Sequence, residues 1–487
     1  MRETQREQVR DNAKYLRAVR PIDPEEIHEY VEGRPHPAAV RQVLRESATD
    51  LGLLERADET FVPVAEGPIE ASVDGVEAFP ERYAHVLEDA LVERFGPGWP
   101  EGDSGDRLRA RIREIKERYL EGRDVTYDDL TALGYALYHL PGTYAATQHV
   151  LGDLAADGEI PADLRVLDVG AGVGGPALGL NDLLPDEALV EYHAVEPSAA
   201  ADLLERLLAE TGRNRHHTVH RTTAEAFDPA GEYDLLLFAN VLSELDAPAA
   251  VVARYLEHLA AEGSIVAVAP ADRNTATGLR EVERTLEREA GATVYAPAAR
   301  LWPGETPQGE CWSFDVAPDL AVPPFQRRLD EGAREESTAH ERREGTPGPA
   351  AARAPGDGEF VNVDVQYAFG IWRRDDTRRV GYRPDPDRTA KMADTEEFVT
   401  ERVNLAGIKL SHDLSGGENP LYLLGDGSER VDHFAVLTRE TGLNRELGTA
   451  GYGDPLRFEN ALVLWNDDEG AYNLVVDGET VVDRVPE

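Results

Sequence analysis

The sequence predicts an α/β chain of several domains: a Rossmann-like core built on a seven-stranded, mostly parallel sheet, with a helical unit before it and a small β-barrel after it. Three observations carry this. Short apolar runs alternate with helical patterns from residue 161 to 316, the mark of βαβ units. A glycine-rich turn joins the first of those runs to a helix. Beyond residue 396 the helical patterns give way to five short apolar runs. With 487 residues, 41% of them hydrophobic, the chain has material for two to four cores. No run approaches the roughly 18 consecutive apolar residues of a membrane-spanning helix. The N-terminus, MRETQREQVRDNAKYLRAVR, lacks the apolar stretch of a secretory signal. A soluble, cytoplasmic protein with no membrane partner is the expectation.

Charge sets the next constraint. There are 93 Asp and Glu against 50 Lys and Arg, a net charge of −43. Only Lys14, Lys116, Lys391 and Lys409 are lysines. An acidic excess spread along the whole chain reads as a halophilic surface, hydrated by carboxylates and screened by salt. The sign of the total therefore says little about partners, and local departures say more. Residues 1–20 carry six basic and three acidic residues, and residues 107–123 seven and three. These two stretches are where an RNA phosphate would be received, unless they are solvated helices with pairs such as Arg113 and Glu117.

The elements follow in order. In residues 1–75, Asp23-Pro24 opens a helix through Tyr30 and Pro37 opens another through about Leu54. Extended character follows to about Val73, the order of a winged-helix-like unit or of a plain helical cap. Residues 76–160 read as helical. The core, 161–385, offers strands at 165–169, 189–195, 218–222, 233–239 and 264–269. CWSFDV (311–316) and VNVDVQYAFGIWRR (361–374) supply the sixth and seventh strands, closing the sheet with an antiparallel hairpin. Between them, 318–358 is rich in Pro, Gly, Arg and Glu and reads as a disordered insertion. In 396–487, strands at 404–410, 421–427, 433–438, 461–465 and 472–476, with a helix-like 441–450 after the third, match an OB-fold-like barrel. Such barrels bind single strands by stacking bases on aromatics, here Tyr422, Phe434, Trp465 and Tyr472.

The chemistry is concentrated in RVLDVGAGVGGPALGL (165–180). An apolar strand runs into Asp168, then Gly170, Ala171, Gly172, Gly174 and Gly175, then a helix. Glycines there let backbone pass close to a ligand and let the helix pack on the strand. Glu196 ends the next strand, where a carboxylate accepts both hydroxyls of a ribose. The acid at the strand end and the Gly-Ala-Gly core resemble motif I of class I S-adenosylmethionine (SAM)-dependent methyltransferases more than the dinucleotide fingerprint. That resemblance implies a seven-stranded Rossmann-like methyltransferase core with SAM as cofactor. It implies that Asp168, Gly170, Ala171, Gly172 and Gly174 lie beside the amino-acid part of SAM and that Glu196 holds the ribose. It also places Thr223-Ala224-Glu225 at the adenine, with Ala224 and Glu225 as contacts.

The acceptor side is less defined. Asn240-Val241-Leu242-Ser243-Glu244-Leu245 follows the fourth strand, without the Asn/Asp-Pro-Pro-Tyr/Phe of adenine and glutamine methylases. Asn240 and Glu244 are the residues expected to face the acceptor, with Asn240 steering an amine or capping the turn. A single Cys311, assigned to the sixth strand, is badly placed as a nucleophile. Residues 130–154, 239–245 and 294–314 together make about 107–374 resemble the predicted ribosomal RNA methylase family linked to the mitochondrial small ribosomal subunit. The implied function is methylation of RNA, most directly small-subunit ribosomal RNA or a ribosome precursor. The alternatives are a non-catalytic, SAM-binding assembly factor of the small ribosomal subunit and a methyltransferase of small molecules or proteins. Members of that family often hold an iron–sulfur cluster on several cysteines; one cysteine cannot do so, and no metal cluster is expected.

Overall fold

The computed structural model describes residues 1–71, 75–123, 125–333, 358–417 and 419–485. They form two compact units: Met1–Leu237 with Leu320–Val363, and Phe238–Asp319 with Asp364–Glu487.

In the first unit, helices α1 (Glu3–Leu16), α2 (Pro24–Tyr30), α3 (Pro37–Glu46) and α4 (Ala48–Leu51) precede the antiparallel hairpin β1 (Leu53–Glu55) and β2 (Phe61–Pro63). Asp23 caps α2 by accepting from the Glu25 amide, which fits the Asp-Pro start. Val9, Ile27, Val40, Leu44 and Phe61 close a small core of their own. Next come α5 (Glu81–Phe95), α6 (Gly102–Leu120), α7 (Asp129–Tyr138) and α8 (Leu140–Ala156). Then β3 (Asp163–Val169), α9 (Gly175–Leu183), β4 (Leu189–Val195), α10 (Ala200–Leu208), β5 (Arg215–His220) and β6 (Tyr233–Ala239) alternate as βαβ units. Their order is β5-β4-β3-β6 and every pairing is parallel. The third strand starts three residues earlier than its apolar run suggested, because Arg215 and His216 pair along β4.

The second unit holds α11 (Pro248–Leu256), β7 (Leu259–Pro270), α12 (Arg273–Thr285), β8 (Thr293–Ala296), β9 (Asp315–Ala317) and β10 (Val365–Arg373). β10 runs antiparallel to β7, β8 and β9, so the α/β core carries a mixed sheet. The expected sixth strand at 311–316 is corrected. Cys311 sits at φ 54°, outside strand conformation, and only Asp315–Ala317 pairs. β8, which the sequence reading passed over, takes the place beside β10.

The expected disordered insertion is also corrected at its start. Residues 324–333 form helix α13, with Phe325 and Leu329 fully buried. Residues 334–357 of that insertion lie outside the described residues, as do 72–74 of the expected extended segment.

The second unit ends in a closed barrel of β11 (Arg402–Lys409), β12 (Leu421–Gly425), β13 (His433–Leu437), β14 (Pro455–Asn466) and β15 (Ala471–Val476). The order is β11-β12-β13-β15-β14, closed by β14 on β11, with β13 and β15 parallel. A one-turn helix α14 (Glu446–Thr449) lies between the third and fourth barrel strands, and β16 (Val481–Arg484) pairs on β14. Of the four aromatics expected to stack bases, Tyr422 belongs to the barrel core, Phe434 and Tyr472 are half-buried, and Trp465 is 40% exposed. Among the described residues no helix is long and apolar enough to cross a membrane.

Candidate functional site

Three parallel strands of the first unit end together, and the loops after β3, β4 and β5 define the site. In open α/β sheets ligands bind at the carboxyl ends of strands, where the chain switches direction across the sheet. Here the chain passes outward from β3 to β4 and β5, then returns to β6 on the other side of β3.

Asp168 lies at the end of β3 with no exposed surface. The Tyr192 hydroxyl on β4 donates to its Oδ2 at 2.7 Å, while its Oδ1 has no partner. Burial pushes the Asp168 carboxyl up to about 7; the Tyr192 hydrogen bond opposes this and the charge of Glu196 adds to it. A buried carboxylate with an orphan oxygen is poised to accept a donor from outside the chain.

The loop after β3 is tied to β4 by two amides. Gly170 N and Ala171 N both donate to the Val195 carbonyl, at 2.9 and 3.1 Å. Gly170, Gly172 and Gly174 take φ of 75°, 54° and 94°, which explains the alternating glycines. A Cβ on Gly172 would meet nothing nearer than the Gly170 carbonyl at 4.0 Å, so the space over the loop is open. On the other side the packing is close. A Cβ on Gly175 would lie 2.8 Å from the Thr143 side chain, and one on Gly179 would lie 2.8 Å from the Tyr144 carbonyl. The glycines therefore serve two purposes: the earlier ones shape the open loop, and the later ones admit α8 against α9.

Glu196, nearly buried, fastens the loops to each other. Its Oε2 accepts from Gly172 N at 2.9 Å and its Oε1 from Ser198 N at 2.8 Å. Each oxygen keeps a further lone pair, so the carboxylate can still accept hydroxyls. The sequence anticipated the acid at this position; its grip on the glycine loop emerges only in three dimensions. Ala224 and Glu225 sit in the turn after β5, where Thr223 accepts from Phe227 N at 3.0 Å; Ala224 is buried and Glu225 exposed.

An aromatic cluster from α6 to α8, which sequence reasoning missed, stands close by. Ala199 N, just after Glu196, donates to the Tyr127 carbonyl at 3.4 Å. Tyr127 packs on Tyr135, Tyr135 on His139 at 4.8 Å, and His139 on Tyr119. Burial holds the His139 imidazole down to about 4, with Lys116 pushing the same way. The available signal was Tyr135, Tyr138 and His139 at helical spacing, directly before Thr143.

The acceptor-side candidates belong to the second unit. Asn240 comes three residues after Leu237, which pairs with Asp168 across β3 and β6. It adopts φ 57°, a conformation Asn tolerates better than most residues, and its amide donates to the Val268 carbonyl at 2.8 Å. Asn240 lines a cavity of about 740 Å³ with Leu242, Val268, Pro270, Leu279 and Val282, a wall mostly of small apolar side chains. Glu244 is exposed on the short turn Leu242–Glu244 and is not part of that wall. Cys311 is likewise not part of that wall; it is half-buried, and burial pushes its thiol up to about 12, with Arg280 opposing.

Residues 167–265 match the model of a methyltransferase domain. Residues 6–57 and 393–485 match the N-terminal and C-terminal domains of a domain of unknown function (DUF8157). No curated protein matches. Among solved structures, the chain is similar to precorrin-6y C5,15-methyltransferase from Geobacter metallireducens GS-15, at 21% identity over 27% of this chain and TM-score 0.23. That match spans 65% of the precorrin enzyme, just under two thirds of its length. The mitomycin 7-O-methyltransferase MmcR matches at 15% identity, over 55% of this chain and 75% of its own, with TM-score 0.22. The plantazolicin methyltransferase BamL, solved with a triazolic desmethylPZN analog and SAH, matches at 10% identity, over 60% of this chain and 98% of its own, with TM-score 0.27. Residues 167–265 are a methyltransferase domain, and S-adenosylmethionine is its cofactor. The orphan Asp168 oxygen, the open face of Gly172 and the near-buried Glu196 carboxylate fit that group.

Proposed function

We propose that the protein is an active SAM-dependent methyltransferase whose acceptor is RNA, as the resemblance over residues 107–374 implied. The observation that carries the cofactor half is Glu196, whose one side chain holds the Gly172 and Ser198 amides and still has lone pairs for hydroxyls. When bound, SAM supplies an electrophilic methyl group, so the protein's own task is positioning and exclusion of water. Asp168 and Glu196 orient the cofactor through acceptor oxygens, the glycine loop gives it backbone contact, and Asn240 marks the acceptor side.

For the RNA half, the support is the barrel. Its 1-2-3-5-4-1 strand order, with the third and fifth strands parallel, is that of an OB-fold, and we read the α/β core as the seven-stranded methyltransferase sheet with β9 as an addition. Exposed Trp465 and half-buried Tyr472 form an edge-on pair, ring centroids 4.8 Å apart, with the Trp465 ring available to stack a base. Acidic residues Asp467, Asp468 and Glu469 beside them favour stacking over phosphate contact.

A second reading, a small-molecule acceptor, is favoured by one observation. Among the described residues, the cavity beside Asn240 presents mostly apolar side chains, with Glu281 and Glu289 as its charged ones and no basic group, which suits a ligand of modest size that carries no negative charge. Incubating the purified protein with methyl-labelled SAM and, in parallel, ribosomal subunits and a small-metabolite extract decides. Label in RNA supports the first reading and label in a metabolite the second. SAM binding without transfer to either leaves a non-catalytic assembly factor.

A further inference from the structure

The two basic stretches at 1–20 and 107–123 are largely occupied within the protein. Arg6 pairs with Glu46, Arg20 with Glu26, Arg118 with Glu114 at 3.1 Å, and Arg123 with Glu121. Arg113 reaches Glu359, not the expected Glu117, at 2.8 Å, and Arg109 is buried, donating to the Pro100 carbonyl. Glu46, Glu26 and Glu359 thus offset part of the local positive excess from outside the two stretches.

Uncompensated positive charge gathers elsewhere, in the second unit. A cavity of about 620 Å³ is walled by Arg284, Arg288, Arg300, Arg378 and Arg383, from α12, the π-helical turn Leu286–Ala290 that follows it, and the segments after β8 and β10. Two acids, Glu287 and Glu305, share the wall, and both are committed: Glu287 accepts from Arg300 at 2.9 Å and Glu305 from Lys391 at 2.6 Å. Arg300 is further held by Glu283 at 3.0 Å, and Arg288 pairs with Glu289 at 3.0 Å.

Among the described residues, three guanidiniums of this wall have no carboxylate in hydrogen-bonding range. Arg284 donates to the Gly309 carbonyl at 2.9 Å. Arg383 donates to the carbonyls of Arg300 and Tyr382 at 3.4 and 3.2 Å. Arg378 has its nearest carboxylate, Glu287, at 4.0 Å, and its buried Nη1 has no partner. Carbonyl acceptors orient a guanidinium without neutralising it. Burial, reinforced by Arg300 and Arg383 and opposed by Glu287, lowers Arg378 from the usual arginine range. In a chain of net charge −43, a wall of this kind is the opposite of the average surface.

We infer that this pocket binds a phosphate group, with Arg284, Arg378 and Arg383 as its ligands. Planar guanidinium forks match phosphate oxygens in pairs, and three of them balance a doubly charged anion better than a single carboxylate would. The volume leaves room for a sugar or similar body attached to the phosphate. A bound phosphate would give the buried Arg378 Nη1 its missing acceptor and lower the mutual repulsion of the three cations.

The inference is independent of the methyl acceptor. Full-length protein is titrated by calorimetry with inorganic phosphate, and separately with an oligouridylate of about ten nucleotides. Wild type, R378Q, R383Q and R284Q are compared, each checked for an unchanged melting temperature. Wild type is expected to bind phosphate, and each folded variant to bind it about tenfold more weakly, or about 1.4 kcal/mol. Displacement of phosphate by the oligonucleotide identifies a nucleic-acid backbone as the source. Phosphate binding without displacement identifies a free phosphorylated small molecule. No phosphate binding to wild type, or equal affinity in all three folded variants, overturns the inference.

Discussion

Asp168 and Glu196 are both acids at the ends of neighbouring parallel strands, yet their surroundings give them different tasks. Glu196 accepts two amides and stands between two loops. Glu196→Ala is expected to weaken SAM about tenfold or more, since hydrogen bonds to a charged group contribute about 1.5–3 kcal/mol each. Calorimetry checks this, and a change under about twofold would make the acid purely structural. Asp168 is raised to about 7 by burial, so the folded state holds a proton that the unfolded chain, near 3.9, has released. Between those values the folded form binds more protons, and stability without cofactor therefore falls as pH rises from about 4 to about 7. Asp168→Asn is expected to flatten that part of the pH–melting curve; an unchanged slope would refute the assignment. The two acids were legible because each interrupts an apolar run at a strand end. The Tyr192 partner was not, because it depends on which face of β4 meets β3.

At the level of elements, the βαβ strands were legible from local periodicity, whereas β8 and β10 depended on distant pairing. β10 follows an insertion, yet it is hydrogen-bonded to both β7 and β8. A four-residue strand such as Thr293–Ala296 is too short for its pattern to show. The join of α8 and α9 gives an element-scale prediction. A side chain at Gly179 would enter the Tyr144 carbonyl of α8, so Gly179→Val is expected to destabilise the fold by about 1–3 kcal/mol. Urea unfolding measures it, and a loss below about 0.5 kcal/mol would show that the helices can shift apart. In the barrel, Trp465 is exposed, so Trp465→Ala is expected to leave stability nearly unchanged and weaken single-stranded RNA. Fluorescence anisotropy on the full chain tests this, and unchanged RNA affinity would argue that the barrel docks on protein instead.

For the whole molecule, charge is the dominant variable. A net charge of −43 repels itself at low ionic strength, and salt shortens the range of that repulsion to about 3 Å near 1 M. The melting temperature is expected to rise when potassium chloride is increased from about 0.1 M to about 2 M, where only short-range pairs still attract. A flat or falling curve would show that ion pairs, not repulsion, dominate the balance. Many arginines have a carboxylate close by, as with Glu55 between Arg41 and Arg45. The cavity of Arg284, Arg378 and Arg383 stands out against that background.

The amino-acid sequence alone determined the strand–loop–helix of the cofactor site, because glycine spacing, strand-end acids and apolar periodicity are local properties of the chain. It also determined the five barrel strands and the small helical unit at the N-terminus, for the same reason. Tertiary structure alone decided where Cys311 lies, which strand completes the sheet, and which cations are neutralised. Those depend on partners far apart in sequence: Arg113 finds Glu359, while among the described residues Arg284, Arg378 and Arg383 find no carboxylate within hydrogen-bonding distance. A charge count along the chain registers each residue's own charge, while the electrostatic character of a surface depends on what folding brings next to it.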